Sequence, residues 1–525
     1  MLPDQPPELL AARVSSGDGT RLYADATAGI AADLRWQRGA FVPDHAIVID
    51  ADSPRQRILG FGAALTDASA EVLLSMPSSH RSALLHELFA TRDLSRREAT
   101  ALEGATQDIP TLGLTTLRLT IGSSDFSNSI YNYEPRPGAF TLQHDERRIV
   151  PLLDEIRSIQ PDLRLIASPW SAPPWMKTRP TMFGRLGPGL ARRTARPWLT
   201  WLGRRSRLDR RHFGDYANYL VRYCERMAEL GHPVDLLTLQ NEPGLAPGYP
   251  GMVMSVHDQI RLIADHLGPA LAASSVHTRL LAHDHNWDAA SKVLRLLGDP
   301  ASGRFLDGTA WHGYKGEPDA QSVVHRAFPK RSAHLTEITS FRDPKTLLAQ
   351  PIAHDLRWHM RMIALGATRN WAESITYWNL ALDGHGGPFL GPGAVPGRRH
   401  GSQMEGVVDV IASPQTNPAG SPAVGTAGSG QTTVRRNVGY YSLAHLSAVR
   451  PGARCLTSTG HETGYTLNAA FQNPDDSLVL IIASDARERR TTTIAVSGWH
   501  AELSLDPGDT VTMVISRSPR AISLQ

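Results

Sequence analysis

Short runs of apolar residues recur between residues 58 and 382, and each run ends on polar or aromatic residues. Helical patterns lie between most of them, for example over Phe213 to Leu230 and Pro351 to Leu365. The eight runs begin at Ile58, Thr116, Leu163, Leu236, Arg279, Gly308, Ala333 and Ile375. Eight successive strand-then-helix units predict a parallel sheet closed on itself, the (β/α)8 TIM barrel of the α/β class.

A doubly wound open sheet uses similar runs, but it is expected to carry a glycine-rich phosphate loop after an early strand. The first run contains Gly60-Phe-Gly62, which lacks the third glycine of that loop and its spacing. The sequence therefore favours the barrel.

Beyond about residue 440 the pattern changes to alternation of polar and apolar residues without helices. The alternating runs at the two chain ends start at Thr20, Ala46, Ser477, Thr491 and Thr510. Such runs are typical of strands in an antiparallel sandwich. We therefore predict an additional all-β sandwich domain formed from both chain ends, with residues 1–55 contributing strands to residues 436–525, around a catalytic barrel over residues 56–435.

Two inserts interrupt the barrel pattern. Residues 384–433 are rich in Gly, Pro and Ser, and the part from Ala412 to Gln431 has almost no large apolar side chain to offset the entropy of ordering. A poorly packed loop is expected there. The other insert, residues 179–211, carries ten arginines and a single acid, Asp209.

The arginine-rich insert contains Pro197-Trp-Leu-Thr-Trp-Leu202, with arginine clusters on both sides over residues 192–207. Interfacial segments combine Trp and Leu, which enter the headgroup boundary, with arginines that contact anionic lipid. One hypothesis is that residues 192–207 dock on an anionic lipid surface so that a glycolipid headgroup can enter the barrel. The alternative is a helical flap packed on the barrel.

Composition narrows the functional classes. Lys and Arg number 54 against 51 Asp and Glu, a net charge of +3, which argues against nucleic acid as the main partner. Cys224 and Cys455 are too few for a disulfide framework, so two buried thiols are expected. The sequence has neither a signal-peptide run nor a stretch of about 20 apolar residues, so we expect a soluble, cytoplasmic chain.

Two glutamates close strands that face each other across the predicted barrel. Glu242 follows the fourth run in Gln-Asn-Glu-Pro, and Glu337 ends the seventh in Leu-Thr-Glu. Loops at the carboxyl ends of barrel strands form the site, so both side chains are expected at the barrel mouth. Hydrolysis of a glycoside with retention needs one acid that protonates the leaving oxygen and one carboxylate, about 5 to 5.5 Å away, that attacks the anomeric carbon.

Several further segments carry a family resemblance. They are residues 60–67 (GFGAALTD), 117–126 (LRLTIGSSDF), 167–177 (ASPWSAPPWMK), 241–243 (NEP), 312–314 (HGY), 336–337 (TE) and 378–383 (WNLALD). Together, and in this order along the barrel, they resemble glycoside hydrolase family 30, which contains the glucosylceramidases, within the clan A barrel glycosidases. The resemblance implies a β-glycosidase that retains anomeric configuration and needs no cofactor.

By that resemblance Glu242 is the acid/base and Glu337 the nucleophile of a double displacement. Arg118, at the end of the second strand, and Tyr314, after the sixth, hold Glu337. Asn241 binds the sugar 2-hydroxyl, a contact that strengthens in the transition state.

The resemblance also assigns residues to the rest of a terminal glucose. Asp125, Trp170 and Trp378 would bind its remaining hydroxyls, although the two tryptophans are also plausible core residues. His283, His285 and His312 lack the spacing of a metal site, so we expect no metal and hydrogen-bonding histidines at the mouth.

The substrate implied first is a terminal β-glucoside, soluble or carried by a glycolipid such as glucosylceramide. A β-xylosidase, an endo-β-1,6-glucanase or a xylanase on the same fold is the alternative, and a non-catalytic carbohydrate-binding protein is a further one. Lysosomal-type relatives place an aromatic residue after the histidine of the sixth strand, where this chain has Gly313. That difference leaves the contacts to the leaving group open.

Overall fold

The predicted apolar runs form strands that are buried on both faces, as a parallel sheet covered by helices requires. A computed structural model describes residues 5–39, 43, 45–91, 111–185, 205–343, 345, 348, 351–391, 402–412, 432–460 and 464–516. The tryptophans of the proposed lipid-docking segment and the stretch 413–431 lie outside the described residues, so both hypotheses about them stay predictions.

Eight parallel strands close into a barrel, each pairing with the next in chain order. They are Gly60–Leu65, Thr116–Ile121, Arg164–Pro169, Leu236–Thr238, Arg279–Asn286, Leu306–His312, Ser332–Glu337 and Ala372–Tyr377. All eight predicted runs are therefore confirmed as strands, with ends displaced by a few residues. Register places Ala64 beside Arg118, and Arg118 beside Ile166.

Helices cover the outside of the barrel. The longer ones are Asp67–Leu74, Ser78–Phe89, Gln143–Ile159, Phe213–Glu229, Val256–Leu262, Ala290–Gly298, Asp319–Ala327, Ile352–Trp358 and Val438–Leu446. Two of them continue as π-helix, over Ile263–Leu267 and His359–Ala367. Within the described residues, every helix is too short or too polar to span a bilayer.

The expectation of alternation without helices beyond residue 440 is wrong at its start. Val438–Leu446 is a helix, and eight of its nine residues are buried against the barrel, where it contacts the first strand and Ile352–Trp358. Because it is buried on nearly all sides, it shows no amphipathic period by which a sequence pattern could identify it.

Both chain ends form a sheet of ten strands. These are Glu8–Ser15, Ala24–Asp25, Gln37–Arg38, Ile47–Arg57, Arg454–Ser458, Thr466–Gln472, Leu478–Ser484, Arg490–Val496, Trp499–Leu505 and Thr510–Ser516. One hydrophobic cluster contains side chains from strands near both edges of this sheet. The sheet therefore folds over and encloses its own core. The predicted all-β sandwich from both chain ends is confirmed.

The strand Leu478–Ser484 explains how the two domains are held together. Leu478, Leu480 and Ile482 belong to the core inside the folded sheet, whereas Val479 and Ile481 belong to the barrel's core. Alternate side chains of a strand point to opposite faces, so this strand is apolar on both. The β domain therefore packs on the barrel through a continuous apolar interface.

The prediction of a strand beginning at Thr20 is wrong. The N-terminal strand is Glu8–Ser15, which pairs antiparallel with Thr510–Ser516. Thr20 belongs to a turn in which the Asp18 carboxylate accepts a hydrogen bond from the backbone N–H of Thr20. The turn places Gly19 at φ 76°, a conformation that glycine adopts at little cost.

The helix Gln143–Ile159 carries a buried carboxyl group, that of Asp145. Tyr133 donates a hydrogen bond of 2.6 Å to its Oδ2, while Oδ1 has no partner among the described residues. Burial raises the pKa of Asp145 to about 7. At pH 5 to 7 the folded state therefore binds a proton that the unfolded chain releases.

We predict that this carboxyl group makes the protein less stable as pH rises. Between pH 5 and 7 the free energy of unfolding should fall by about 2 to 3 kcal/mol on its account and not recover above pH 7. Urea unfolding at pH 5 and 8 measures the effect. Asp145→Asn should abolish this component, and the exposed-site control Asp162→Asn should retain it; equal pH dependence in the two variants would contradict the assignment.

Candidate active site

Two glutamates meet at the carboxyl ends of the barrel strands. Glu337 is the last residue of the seventh strand, and Glu242 lies four residues after the fourth strand ends at Thr238. The backbone of Glu242 has φ 48°, which is sterically costly for a residue with a Cβ. A hydrogen bond of 3.0 Å from its N–H to the carbonyl of Asp284 holds this bend.

His312, at the end of the sixth strand, lies between the two glutamates. Its Nδ1 is 3.4 Å from Oε1 of Glu242 and 3.9 Å from Oε1 of Glu337. The opposite ring nitrogen, Nε2, is 3.1 Å from Oδ1 of Asp284. One buried imidazole therefore contacts three carboxylates.

Glu337 is held by two donors. Arg118 Nη1 donates to its Oε2 at 2.5 Å, and the Tyr314 hydroxyl donates to its Oε1 at 3.1 Å. Burial and the charge of Glu337 raise the pKa of Tyr314 well above its usual value, so the phenol keeps its proton. Arg118 also donates to Oδ1 of Asn241 at 2.8 Å, which fixes the amide beside Glu242.

Asp284, at the end of the fifth strand, is the residue that joins these groups. Its carboxylate accepts hydrogen bonds from Arg118 Nη2 at 3.0 Å, Ser168 Oγ at 2.9 Å, Thr238 Oγ1 at 2.7 Å, His312 Nε2 at 3.1 Å and Thr336 Oγ1 at 2.7 Å. Burial would raise the pKa of Asp284, but the charge of Arg118 and the bonds from His312 and Thr238 hold it far below its usual range. The carboxylate is therefore a permanent negative charge inside the barrel.

Sequence reasoning did not select Asp284. The available signal was the same as for the glutamates, an acidic residue closing an apolar run, here Arg279 to Asp284. The neighbouring His283 and His285 were instead predicted to be hydrogen-bonding residues at the mouth. Of these, His283 Nε2 donates a hydrogen bond of 3.0 Å to the Asn286 carbonyl, and His285 Nδ1 lies 3.6 Å from Oε1 of Glu242.

The protonation of Glu242 and His312 is linked. Burial would raise the pKa of Glu242, but the hydrogen bond and positive charge of His312 lower it. Burial would lower the pKa of His312, but the charges of Glu337, Asp284 and Glu242 raise it to about 9. At neutral pH this pair therefore holds a proton on the imidazole, next to Glu242.

Trp170 and Trp378 form one wall of the site. Their rings stack with centroids 4.9 Å apart, and the Arg118 guanidinium lies 4.9 Å from the first and 5.5 Å from the second. Each tryptophan is only 2% exposed, and Phe126 completes the apolar cluster behind them. The cluster buries Arg118 completely, which strengthens its pairing with Glu337.

Asp125 and Tyr249 lie at the same mouth. Burial and the charge of Glu337 raise the pKa of Asp125 well above its usual value, against the opposite effect of a hydrogen bond from its own backbone N–H. A neutral carboxyl group can donate a hydrogen bond as well as accept one. Tyr249, not selected from the sequence, packs on the tryptophan cluster and has a raised pKa through burial and the charge of Asp125.

Gly313 does not leave a gap in the site. A Cβ at this position would lie 2.8 Å from Cδ1 of Ile363 and 3.1 Å from Cδ1 of Ile338. The direction of a side chain here is toward the apolar packing of the barrel, and Ile363 fills the space. A larger residue here would have to displace the side-chain ends of Ile363 and Ile338.

Three ligand atoms in the site are close enough to share a metal ion. They belong to Glu242, His285 and His312 and lie within 4.8 Å of one another. The sequence points to His285 and His312 but not to their third partner, because the residue that completes the group is the glutamate expected to act as acid.

Comparison with known proteins agrees with the geometry. The profile of the glycosyl hydrolase family 30 TIM-barrel domain matches residues 58–392. The endo-1,6-β-D-glucanase neg1 of Aspergillus fumigatus is 27% identical over 480 residues, covering 87% of this chain and 84% of that protein. The lysosomal acid glucosylceramidase of Mus musculus is 24% identical over 469 residues, covering 84% and 77%.

Among solved structures, the endo-β-1,6-glucanase BT3312 superimposes with a TM-score of 0.74 at 25% identity, covering 96% of this chain and 99% of that one. Fold, site and sequence profile thus agree along most of the chain. The protein belongs to glycosyl hydrolase family 30 and is a glycoside hydrolase.

Proposed function

We propose that this protein hydrolyses β-1,6-linked glucan with retention of configuration, cleaving within the chain. The observation that carries the proposal is similarity, over nearly the whole chain, to two β-1,6-glucanases known respectively by sequence and by structure. The glucosylceramidase is matched at lower identity and over less of its own length. The initial preference for a glucosylceramide-type substrate is therefore replaced by its alternative.

In the first step Glu337 attacks the anomeric carbon. Arg118 and Tyr314 donate to its two oxygens, so the carboxylate stays ionised and oriented. As the glycosyl ester forms, the charge on Glu337 disappears. Asn241, held by Arg118, binds the 2-hydroxyl of the same glucose.

In the same step Glu242 protonates the leaving oxygen, and in the second it deprotonates water. His312 supplies and stores the proton, because its Nδ1 faces Oε1 of Glu242 and its Nε2 is anchored by Asp284. Glu242, whose pKa His312 lowers, therefore does not have to hold this proton itself at neutral pH. A proton on the neighbouring imidazole serves the same chemistry at neutral pH.

The remaining hydroxyls of the glucose are bound by Asp125, Trp170 and Trp378. Asp125 donates from its neutral carboxyl group, and the two indoles offer their edges, since their faces cover each other and Arg118. This arrangement supports a subsite that binds one glucose unit of the chain.

Two exposed apolar side chains mark the side where the leaving sugar departs. Leu245 follows Glu242 by three residues, and Phe341 follows Glu337 by four; they are 40% and 43% exposed. The Phe341 ring packs against Tyr314, with centroids 6.3 Å apart. Aromatic and aliphatic surface at this position supports stacking of a second pyranose, as a polysaccharide substrate requires.

A substrate panel tests the proposal. With linear β-1,6-glucan, β-1,3-glucan, β-xylan and glucosylceramide vesicles, kcat/KM should be highest on β-1,6-glucan by at least about tenfold. Short oligosaccharides of several lengths should appear first, as internal cleavage produces. Glu337→Gln serves as the inactive control. Faster hydrolysis of glucosylceramide than of β-1,6-glucan would favour the glycolipid substrate instead. No turnover of any substrate would favour a non-catalytic carbohydrate-binding protein.

A second prediction concerns Asp284, which acts by positioning Arg118 and His312. Asp284→Asn removes the charge that orients both, so kcat/KM should fall at least about 100-fold, mostly in kcat. The matched control is Asp409→Asn, since Asp409 is also fully buried and paired with Arg342 and Arg435 but contacts neither glutamate. Both variants should lose thermal stability, but only the first should lose activity and change the pH profile. Equal losses of activity would show that Asp284 is merely structural.

A further inference from the structure

We propose that the active site is also a zinc-binding site, formed by Glu242, His285 and His312. Their ligand atoms, Oε1 and the two Nδ1 atoms, converge at the carboxyl ends of the fourth, fifth and sixth strands. Imidazole nitrogen and carboxylate oxygen are ligands that Zn²⁺ prefers, and three protein ligands with an open fourth position are typical of accessible zinc sites.

The spacing of the ligand atoms fits a tetrahedral ion. Oε1 of Glu242 lies 3.4 Å from Nδ1 of His312 and 3.6 Å from Nδ1 of His285. Two ligands at zinc's usual bond lengths of 2.0 to 2.2 Å are about 3.4 Å apart in a tetrahedral arrangement. The carboxylate oxygen therefore already stands, from each nitrogen, close to the separation that a bound ion imposes, and all three ligand atoms lie within 4.8 Å of one another.

Residues around the three ligands support the same conclusion. Nε2 of His312 contacts Oδ1 of Asp284 at 3.1 Å, the carboxylate–histidine arrangement that orients a metal-binding imidazole and directs Nδ1 toward the ion. Zinc takes the place of the proton on Nδ1, which is released to solvent. Nδ1 of His285 is buried and has no hydrogen-bond partner among the described residues. A buried nitrogen without a partner is costly, and a metal ion at this point satisfies it.

The charge around the three ligands and their access to solvent also favour zinc binding. The Glu337 carboxylate lies 3.9 Å from Nδ1 of His312, so it adds negative potential to that of Glu242. The fully buried Arg118 bonds to Oε2 of Glu337, the oxygen that does not face His312. The side chains of Glu242 and His285 are 14% and 19% exposed, so an ion reaches them from the substrate cleft.

Bound zinc occupies the oxygen of Glu242 that faces His312, so it blocks proton transfer to the leaving group. It is therefore an inhibitor, reversed by chelation; this consequence, but not the binding itself, rests on the proposed role of Glu242. Zinc in the surroundings would set how much of the enzyme is active.

Direct binding provides the test. Calorimetric titration of the full chain with Zn²⁺ should give one site per chain, and Co²⁺ in its place should show the intense visible absorption of four-coordinate cobalt. His285→Ala should weaken Zn²⁺ binding at least tenfold and abolish the cobalt band. The matched control, His257→Ala, removes a histidine that is 64% exposed and remote from Glu242, and should bind like the wild type.

Binding that survives His285→Ala, or that falls equally in His257→Ala, would overturn the site and identify adventitious surface histidines. Circular dichroism confirms that both variants are folded. Inhibition of aryl β-glucoside hydrolysis is measured separately, with chelator reversal. Zinc that binds with the expected variant pattern but does not inhibit would support the site and contradict the role of Glu242 as acid.

Discussion

The permanent negative charge of Asp284 is the constraint on which the rest of the site depends. Arg118 cannot be buried without a compensating charge, because an unpaired ion inside the barrel is strongly destabilising. Asp284 supplies that charge and at the same time bonds to side chains from the second, third, fourth, sixth and seventh strands. Together with its own strand, one carboxylate joins six of the eight strands exactly where their ends meet the cleft.

This connection determines what each glutamate does. Arg118 and Tyr314 each donate a hydrogen bond to Glu337, whereas in the described part of the chain the Glu242 carboxylate is bonded only to the imidazole of His312. The two carboxylates differ in their surroundings, so they can take different parts in one reaction, as nucleophile and as acid. The bent backbone of Glu242 places its side chain within reach of His312, and its hydrogen bond to Asp284 stabilises this bend.

Much of the architecture could be predicted from local patterns. The barrel strands are continuous apolar runs, so the pattern of apolar residues identifies them. The two glutamates close two of these runs, so their position predicts that they lie at the barrel mouth. Asp284 could not be ranked, because its partners lie 28 to 166 residues away in sequence and become neighbours only when the barrel closes. Val438–Leu446 was missed since burial on nearly all sides removes the helical period. The resemblance named a glycolipid substrate first, whereas similarity to β-1,6-glucanases favours the glucan alternative.

The central claim is that Glu337 forms a covalent bond to the sugar while Glu242 exchanges the proton. Proton NMR of the first product released from a soluble β-glucoside tests it most directly, because the anomers are resolved before mutarotation. Double displacement predicts that the β-anomer appears first and decays toward equilibrium. Initial appearance of the α-anomer would mean direct attack by water, and would contradict the role assigned to Glu337.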